Sequence, residues 1–217
     1  MAKRNAPTVQ FPSFDREQHL YDKNFEVVVG LDEVGRGALA GPVFACSVFL
    51  GKSSFPYQDI AIKDSKQLSP GARERSYNAL LERLAEFGDF AVGSATADEI
   101  DAHGIAPATR MAMVRAVEGM HVHPDAMLID AVRLSDLLIY QEAIIRGDQL
   151  SLSIAAASII AKVTRDRQMR ELDSQYPQYG FAQHKGYGTR KHLLALSKYG
   201  PIKGIHRHTF GPIKEFS

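Results

Sequence analysis

The sequence predicts an α/β domain built around a mixed five-stranded sheet flanked by helices, with a further helical segment at the C-terminus. Short runs of β-branched and apolar residues, typical of buried strands, occur at five places along the chain. Between them lie longer segments whose apolar residues recur every three or four positions, as in helices that cover a core. The length of 217 residues and a hydrophobic content of 45% fit a single globular domain.

The first strand is predicted at residues 27–32, which read VVVGLD. Alternation divides its side chains between two faces, with Val27, Val29 and Leu31 on one and Val28, Gly30 and Asp32 on the other. Continuation of the strand would carry Glu33 to the face opposite Asp32. The two acids can therefore meet at one point only if the chain turns between them, and we expect them to have different roles.

The other strands are predicted at residues 43–50, 90–95, 126–130 and 141–146, with the second antiparallel to the first. The strand–helix–strand succession through residues 90–130 predicts a crossover and a parallel pairing of the third and fourth strands. If the first and fourth strands are also parallel neighbours, Asp32 and Asp130 lie side by side at the same edge of the sheet.

Helices are predicted from their capping residues and apolar spacing. Ser69-Pro70 begins one that Gly88 ends, and residues 98–120 form another that is broken near residues 104–107. The helix that follows Asp148 is small or apolar on every side over residues 154–163, so we expect it to be buried. A short helix runs from about residue 189 to 199. Residues 1–25 are interpreted as a polar lead-in, and residues 26–217 as one domain.

Four carboxylates follow apolar strands: Asp32, Glu33, Asp130 and Asp148. Clustered acids repel one another, and their burial is costly unless a cation neutralises them. Oxygen ligands of this kind suit Mg²⁺ or Mn²⁺, and two such ions can promote phosphodiester hydrolysis. For each acid taken singly, a solvated loop residue at the end of a strand is the favoured interpretation. A carboxylate pair could also hydrolyse glycosides, but a neutral sugar would need neither a glycine–arginine loop nor a basic segment.

The acids are followed by the triplet Gly35, Arg36 and Gly37. Glycines let backbone groups approach a ligand closely, and the arginine can pair with a phosphate. A plain hairpin turn would have the same composition. The distribution of charge favours the anion, because residues 181–214 contain seven Lys or Arg and no Asp or Glu, although the formal net charge of the chain is only +1. We expect this basic segment to fold back toward the loop.

The remaining polar motifs are weaker signals. Tyr187, between two glycines of the basic segment, would be exposed enough to stack on a sugar or base, or could plug the edge of the core. The pairs His121/His123 and His206/His208 lack further ligands nearby and are interpreted as solvated. The serines at positions 151, 153 and 158 lack the context of a hydrolase nucleophile.

The single cysteine, Cys46, excludes an internal disulfide and a thiolate cluster. The N-terminus has no apolar signal core, and no apolar run is long enough to span a bilayer. These features predict a cytoplasmic protein without a membrane partner.

Taken together, five motifs resemble those of ribonuclease HII, the bacterial type 2 ribonucleases H. They occur in that family's order from residue 27 onward: GLDEVGRGALAGP (residues 30–42), KDSKQLS (63–69), LIDA (128–131), GDQLSLSIAAASIIAKVTRDR (147–167) and HKGYGT (184–189). Two details qualify the match. Ala131 stands where the family usually has glycine. Arg36 rather than lysine in the triplet favours type HII over the sister type HIII, and we expect no counterpart of the N-terminal platform domain of type HIII.

The resemblance implies the ribonuclease H fold and a divalent-metal site formed by Asp32, Glu33, Asp130 and Asp148. It also implies substrate-binding residues: the triplet Gly35, Arg36 and Gly37, which reads a ribose 2′-hydroxyl through backbone groups, together with Ser65, Lys66, Lys185 and the junction-sensing Tyr187. Asp32, Asp130 and Asp148 would be the main metal ligands, with Glu33 contributing through its backbone carbonyl or from further away.

The implied activity is endonucleolytic cleavage of the RNA strand in RNA–DNA hybrids. It includes cleavage 5′ to a single ribonucleotide embedded in duplex DNA, which leaves 3′-hydroxyl and 5′-phosphate ends and starts ribonucleotide excision repair. A two-metal mechanism with Mn²⁺ or Mg²⁺ and a monomeric enzyme are expected. A replication clamp is a further candidate partner, although the tail IKEFS is too short and generic to argue from. A non-catalytic nucleic-acid-binding module and a DNA resolvase of the same fold are the alternatives.

Overall fold

The computed structural model describes residues 11–63 and 65–216. Five strands form one mixed sheet in the order β3–β2–β1–β4–β5. They are β1 (Val28–Val34), β2 (Val43–Phe49), β3 (Asp89–Ala95), β4 (Ala126–Asp130) and β5 (Tyr140–Ile144). β1 is antiparallel to β2 and parallel to β4, as predicted. The predicted five-stranded mixed sheet is therefore confirmed.

The predicted pairing of the third and fourth strands is wrong. β3 runs in the same direction as β4, but it pairs with β2 at one edge of the sheet, and both β2 and β1 lie between them. The physical reason is that β1, β2 and β3 form an antiparallel meander before the crossover begins. The only free edge of β1 is on its other side, and there β4 adds to it.

Eight helices are described: α1 (Asp15–Tyr21), α2 (Pro70–Phe87), α3 (Ala97–His103), α4 (Ile105–Glu118), α5 (Leu152–Gln175), α6 (Phe181–His184), α7 (Arg190–Tyr199) and α8 (Gly211–Lys214). The Ser69 and Thr189 side chains cap α2 and α7 by accepting from Ala72 N–H and His192 N–H. Gly104 divides α3 from α4 with a φ of 82°, close to the predicted break. Within the described residues, no helix has the length and apolar character needed to cross a membrane.

The sheet separates two hydrophobic cores, and the alternation predicted for β1 is observed. Val29 and Leu31 pack into the core that contains α3 and α4. On the opposite face α5 crosses β1 at Gly30, where a Cβ atom would lie 2.4 Å from the backbone nitrogen of Ile154. Asp32, two residues further along, lies on this same face as the buried helix α5.

The lead-in contains the helix α1, and Leu20 of this helix is fully buried. Glu17 of α1 is 1% exposed and accepts hydrogen bonds from Ser153 N–H at 2.9 Å and from the Ser151 hydroxyl at 2.5 Å. This carboxylate therefore caps the first turn of α5, immediately after Asp148. Residues 1–10 of the lead-in, together with Asp64, lie outside the described residues.

The C-terminal helices α6, α7 and α8 form a small core of their own with Leu39 and Ala40, which follow the Gly-Arg-Gly triplet. The connection is also made through the backbone, because Leu39 N–H donates to Gly186 C=O at 2.8 Å and Gly41 N–H to Ile205 C=O at 2.8 Å. The basic segment thus lies against the loop, as its charge suggested.

Candidate active site

Two of the four predicted acids reach the same edge of the sheet. The parallel pairing of β1 with β4 aligns Leu31 with Ile129, so Asp32 and Asp130 are the next residues on adjacent strands. Asp130 is the last residue of β4 and is half-buried, whereas Asp32 is 6% exposed. Because the carboxyl ends of parallel neighbours meet, the geometry places these two carboxylates side by side.

Asp32 and Glu33 have different surroundings because β1 continues beyond them to Val34 without a turn. Asp32 accepts a hydrogen bond from Ser158 of α5 and from the backbone N–H of Glu33 at 2.7 Å. Glu33 instead pairs with Arg36 across 3.3 Å, between Oε1 and Nη1. The strand alternation therefore sends the two carboxylates to different partners.

The electrostatics couple the acids to one another. Burial raises the pKa of the Asp32 carboxyl well above its usual range, and the negative charges of Glu33 and Asp130 raise it further. Burial also raises the pKa of Glu33, against the lowering effect of Arg36, and Asp130 again acts in the raising direction. Asp130 thus acts on both neighbours, so the three carboxyl groups lie in one region.

Asp148 lies on a short 3₁₀ turn, Gly147–Gln149, just before α5, and is 6% exposed. The turn is fastened to the sheet edge because Gly147 N–H donates to Oδ1 of Asp130 at 2.8 Å. The preceding residue, Arg146, has a φ of 57°, a left-handed conformation that reverses the chain after β5. This tether brings the turn that carries Asp148 to Asp130.

The donor chemistry of this site fits a divalent cation. Oε2 of Glu33 is buried and, within the described part of the chain, has no hydrogen-bond partner. A hard cation would satisfy this oxygen and would offset the repulsion that raises the pKa of Asp32 and Glu33. No three His, Cys, Asp or Glu side chains of residues 11–63 and 65–216 are arranged as a complete metal-binding group.

The Gly-Arg-Gly triplet forms a tight turn directly after β1. Gly35 has a φ of 92°, and its carbonyl accepts from Ala38 N–H at 3.3 Å. A Cβ atom at Gly35 would lie 2.2 Å from Nε of Arg165, whereas one at Gly37 would meet nothing within 4 Å. The turn is thus closely supported on its inner side at Gly35 and open at Gly37. Arg36 is exposed and carries its charge beside Glu33.

Two buried arginines support this turn, and the sequence analysis missed both. Arg207 is fully buried and donates to Gly41 C=O at 2.8 Å and to Arg36 C=O at 2.8 Å. Arg165 of α5, also fully buried, donates to the carbonyls of Pro42, Ala40 and Lys185. Arg207 is one of the seven basic residues of the segment 181–214 that was expected to attract an anion, but its guanidinium instead binds backbone carbonyl groups. No local signal distinguishes it from the surface cations.

Tyr187 is 36% exposed, and the guanidinium carbon of Arg165 lies 5.6 Å from the centre of its ring. Lys185 is half-buried with a φ of 53°, and its ammonium group donates to Ala182 C=O. Burial lowers the pKa of this ammonium group. The residues of this loop thus lie next to the Gly-Arg-Gly turn through the shared contact with Arg165.

Ser65 and Lys66 are placed differently from each other. Ser65 is 3% exposed, and its hydroxyl lies 3.0 Å from the hydroxyl of Ser158, which in turn bonds to Asp32. Lys66 is exposed. Ser65 therefore contacts the acidic site through a chain of hydroxyl groups, whereas Lys66 faces solvent.

The interpretation of the histidine pairs is partly wrong. His121 and His123 are exposed, as expected, but His206 is fully buried. It lies against His192, and the two Nε2 atoms are 3.2 Å apart. This cluster of His184, His192 and His206 has no signature in the sequence, because α6, α7 and the segment that follows α7 bring its members together only in the folded chain.

Comparisons with known proteins agree with this arrangement. The family profile described as Ribonuclease HII matches residues 29–212. The Ribonuclease HII of Chloroflexus aggregans is 50% identical over 206 residues, which cover 94% of this chain and 95% of that protein. The ribonuclease H2 of Pyrococcus horikoshii OT3 superposes with a TM-score of 0.73 at 28% identity, covering 88% of this chain and 96% of that one.

Two more distant structures share the fold. The RNase HII in a PCNA:RNase HII complex from Archaeoglobus fulgidus has a TM-score of 0.66 at 21% identity, over 85% of this chain and 95% of that one. Bst-RNase HIII, solved in complex with Mn²⁺, has a TM-score of 0.65 at 20% identity, over 88% of this chain and 68% of that one. The ribonuclease H-like fold that the sequence predicted is confirmed by these neighbours.

Proposed function

Because the chain belongs to the ribonuclease HII family, we propose that it cuts duplex DNA on the 5′ side of a single embedded ribonucleotide. Membership makes it a ribonuclease H, a hydrolase that cleaves RNA–DNA hybrids endonucleolytically. The proposed cleavage adds water across the P–O3′ bond and leaves a 3′-hydroxyl and a 5′-phosphate. It would start the removal of ribonucleotides from DNA.

The observation that carries the proposal is the contact between the acidic edge and the Gly-Arg-Gly turn. Arg36 of the turn pairs with Glu33, which is adjacent in the chain to Asp32. A phosphate at the acids would therefore have the turn beside it. The open side of the turn at Gly37 leaves room for a ribose whose 2′-hydroxyl meets backbone groups.

We assign the catalytic and metal-binding roles to Asp32, Glu33, Asp130 and Asp148. Divalent metal use accords with the family, and the related Bst-RNase HIII was solved with Mn²⁺. When bound, a pair of Mg²⁺ or Mn²⁺ ions would supply Lewis acidity for activating water and stabilising the leaving 3′ oxygen.

The chain's own contribution is to orient these carboxylates. The Ser158 hydroxyl and the Glu33 N–H fix Asp32, and Gly147 N–H fixes one oxygen of Asp130. Ser65 supports Ser158. In Glu33 the pairing with Arg36 engages Oε1, and Oε2 has no hydrogen-bond partner among the described residues, so this acid would act at the side of the site next to the turn.

The substrate contacts that we propose surround this site. Gly35, Arg36 and Gly37 would contact the ribonucleotide through its 2′-hydroxyl and phosphate. Tyr187 would stack on the nucleic acid at the junction between ribonucleotide and deoxyribonucleotide. Lys66 and Lys185 would lie along the nucleic-acid backbone. Ser65 would act indirectly, because its hydroxyl bonds to that of Ser158, which bonds to Asp32. The PCNA complex of the archaeal relative makes a replication clamp a candidate partner for this chain. We further propose that the enzyme acts as a monomer.

The direct test uses a DNA duplex with one ribonucleotide, cleaved in Mg²⁺ or Mn²⁺ and mapped on a sequencing gel. Asp32→Asn and Asp130→Asn should each lower the cleavage rate at least about 100-fold, because each removes a charge that would hold the metal. Asp136→Asn, at an exposed site beside residues of α4, is the control. A near wild-type rate for either site variant would refute the proposed roles.

Two further measurements separate the alternatives. A non-catalytic binding module would retain the duplex after chelation of the metal and give no product. A resolvase of the same fold would cut an all-DNA junction, which an enzyme that requires a 2′-hydroxyl would leave intact. Product that maps anywhere other than 5′ to the ribonucleotide would refute the proposed specificity.

A further inference from the structure

Three histidines lie beneath the loop that carries Tyr187. His192 and His206 are fully buried and His184 is 7% exposed. The rings of His184 and His192 stack with centroids 4.4 Å apart, and Phe181 meets both edge-on. Each histidine also makes specific polar contacts, so the cluster is more than an aromatic core.

The contacts of His206 determine its protonation. Its Nδ1 accepts a hydrogen bond from the backbone N–H of Ile202 at 2.8 Å. A neutral imidazole that accepts at one nitrogen carries its proton on the other. His206 therefore bears the proton on Nε2, which points at Nε2 of His192 across 3.2 Å.

The tautomer of His192 follows from this. Its Nε2 must accept the proton of His206, so its own proton lies on Nδ1. That nitrogen is 3.1 Å from the carbonyl oxygen of Tyr187, which is an acceptor only. The hydrogen bonds run in one direction, from Ile202 N–H through His206 and His192 to the Tyr187 carbonyl.

His184 completes the support of the loop from the other side. Its Nδ1 accepts from Gly186 N–H at 3.2 Å, and its Nε2 therefore donates to Tyr179 C=O at 2.8 Å. Gly186 C=O in turn accepts from Leu39 N–H at 2.8 Å, next to the Gly-Arg-Gly turn. Neutral imidazoles thus hold this loop at two backbone groups: His184 binds Gly186 N–H, and His192 binds Tyr187 C=O.

We infer that His206 and His192 form a hydrogen-bond relay that fixes the peptide of Tyr187, so that both are positioning residues for the Tyr187 ring. This inference rests on the proposed role of Tyr187 in substrate binding. The relay requires both rings to be neutral, since a proton added to either would place two N–H groups against each other. Burial lowers the pKa of each ring to about 4, in keeping with this requirement.

The first test is independent of activity. Long-range ¹H–¹⁵N NMR spectra of the ¹⁵N-histidine-labelled protein report which ring nitrogen carries the proton, with His192→Phe and His206→Gln used for assignment. We expect the Nδ1–H form for His192 and the Nε2–H form for His206 at neutral pH. An Nε2–H form of His192, or its protonation near pH 6.5, would overturn the relay.

The second test measures KM and kcat on the duplex with one ribonucleotide. His192→Phe keeps an aromatic ring but removes the donor, and we expect KM to rise about tenfold with kcat changed less than about threefold. His206→Gln keeps an amide N–H that can donate to His192, so its KM should stay within about threefold of the wild-type value. His123→Ala, on the surface, is the control and should have the wild-type KM.

Tyr187→Ala separates the two proposals. If Tyr187→Ala raises KM and His192→Phe does not, the positioning role is refuted. If Tyr187→Ala itself leaves KM unchanged, the proposed stacking role of Tyr187 fails, and with it the positioning role, whereas the NMR spectra still decide whether the relay exists.

Discussion

Ala131 has a backbone conformation that favours glycine. Its φ is 53°, and its N–H donates to Ile144 C=O at 3.0 Å, directly after Asp130. The ribonuclease HII resemblance places a glycine here in most members. A left-handed conformation costs an alanine about 1–2 kcal/mol, and glycine loses part of that advantage through its greater freedom in the unfolded chain.

Ala131→Gly should therefore raise the free energy of unfolding by about 0.5–1 kcal/mol, measured by urea denaturation. Ala102→Gly is the matched control, because Ala102 is also exposed but lies within helix α3, where glycine should cost about 1 kcal/mol. Equal destabilisation of both variants would contradict the assigned strain at Ala131.

The strand β1 and the helix α5 are in close contact at Gly30. A Cβ atom at Gly30 would lie 2.3 Å from the carbonyl carbon of Ser153 and 2.4 Å from Ile154 N. Both are backbone atoms of the first turn of α5, so no side-chain rotation can relieve the clash. The absence of a side chain at Gly30 sets the distance between the strand that carries Asp32 and the helix that carries Ser158.

We expect Gly30→Ala to destabilise the protein by about 2–3 kcal/mol, because α5 must shift away from β1. Thermal or urea unfolding measures this. Gly71→Ala in α2 is the control, since its nearest neighbour is the flexible end of Arg75 at 3.7 Å and alanine favours a helix, so it should be neutral or stabilising. If Gly30→Ala left the free energy of unfolding unchanged, the contact between β1 and α5 would be looser than described.

At the scale of the whole molecule, the buried histidines make stability depend on pH. The pKa of about 4 for both His192 and His206 lies below the value of about 6.5 in an unfolded chain. The unfolded state therefore binds more protons between pH 6.5 and 4, and the histidine contribution to stability is lost as the pH falls through this range. The titratable groups that act on His192 and His206 from outside the pair are His184 and His208. Lys191, Asp173 and Lys185 act in turn on His184.

Asp32 and Glu33 act in the opposite direction, because their pKa values are raised in the folded protein. Because the wild type and His192→Phe both contain these acids, their contribution cancels in the difference between the two free energies of unfolding. We expect the variant's stability to depend less on pH between 6.5 and 4, by up to about 1.4 kcal/mol per pH unit, in urea titrations. Parallel curves for the two proteins would contradict the neutral, buried state of His192, and His123→Ala should follow the wild-type curve.

Much of the architecture could be predicted from local sequence. The alternation in β1 gives both its faces, Ser69 and Gly88 mark the ends of α2, and β4 ends at Asp130 as predicted. The family motifs also predicted the ribonuclease H-like fold. These features depend on residues close together in the chain, where backbone propensity and side-chain periodicity act directly.

The neighbours of individual side chains could not be predicted from local sequence, because they depend on long-range packing. Arg207 and His206 look like surface cations and solvated histidines in the sequence, yet both are fully buried. Arg207 bonds to Gly41, 166 residues away, and Ser65 to Ser158, 93 residues away. Hydrogen bonds of this kind leave no periodic signal, because the partners are set by how α5 and the C-terminal helices pack. The positions of the four candidate acids and of the Gly-Arg-Gly triplet can be recognised in the local sequence, whereas the support of the turn by Arg165 and Arg207 depends on long-range packing.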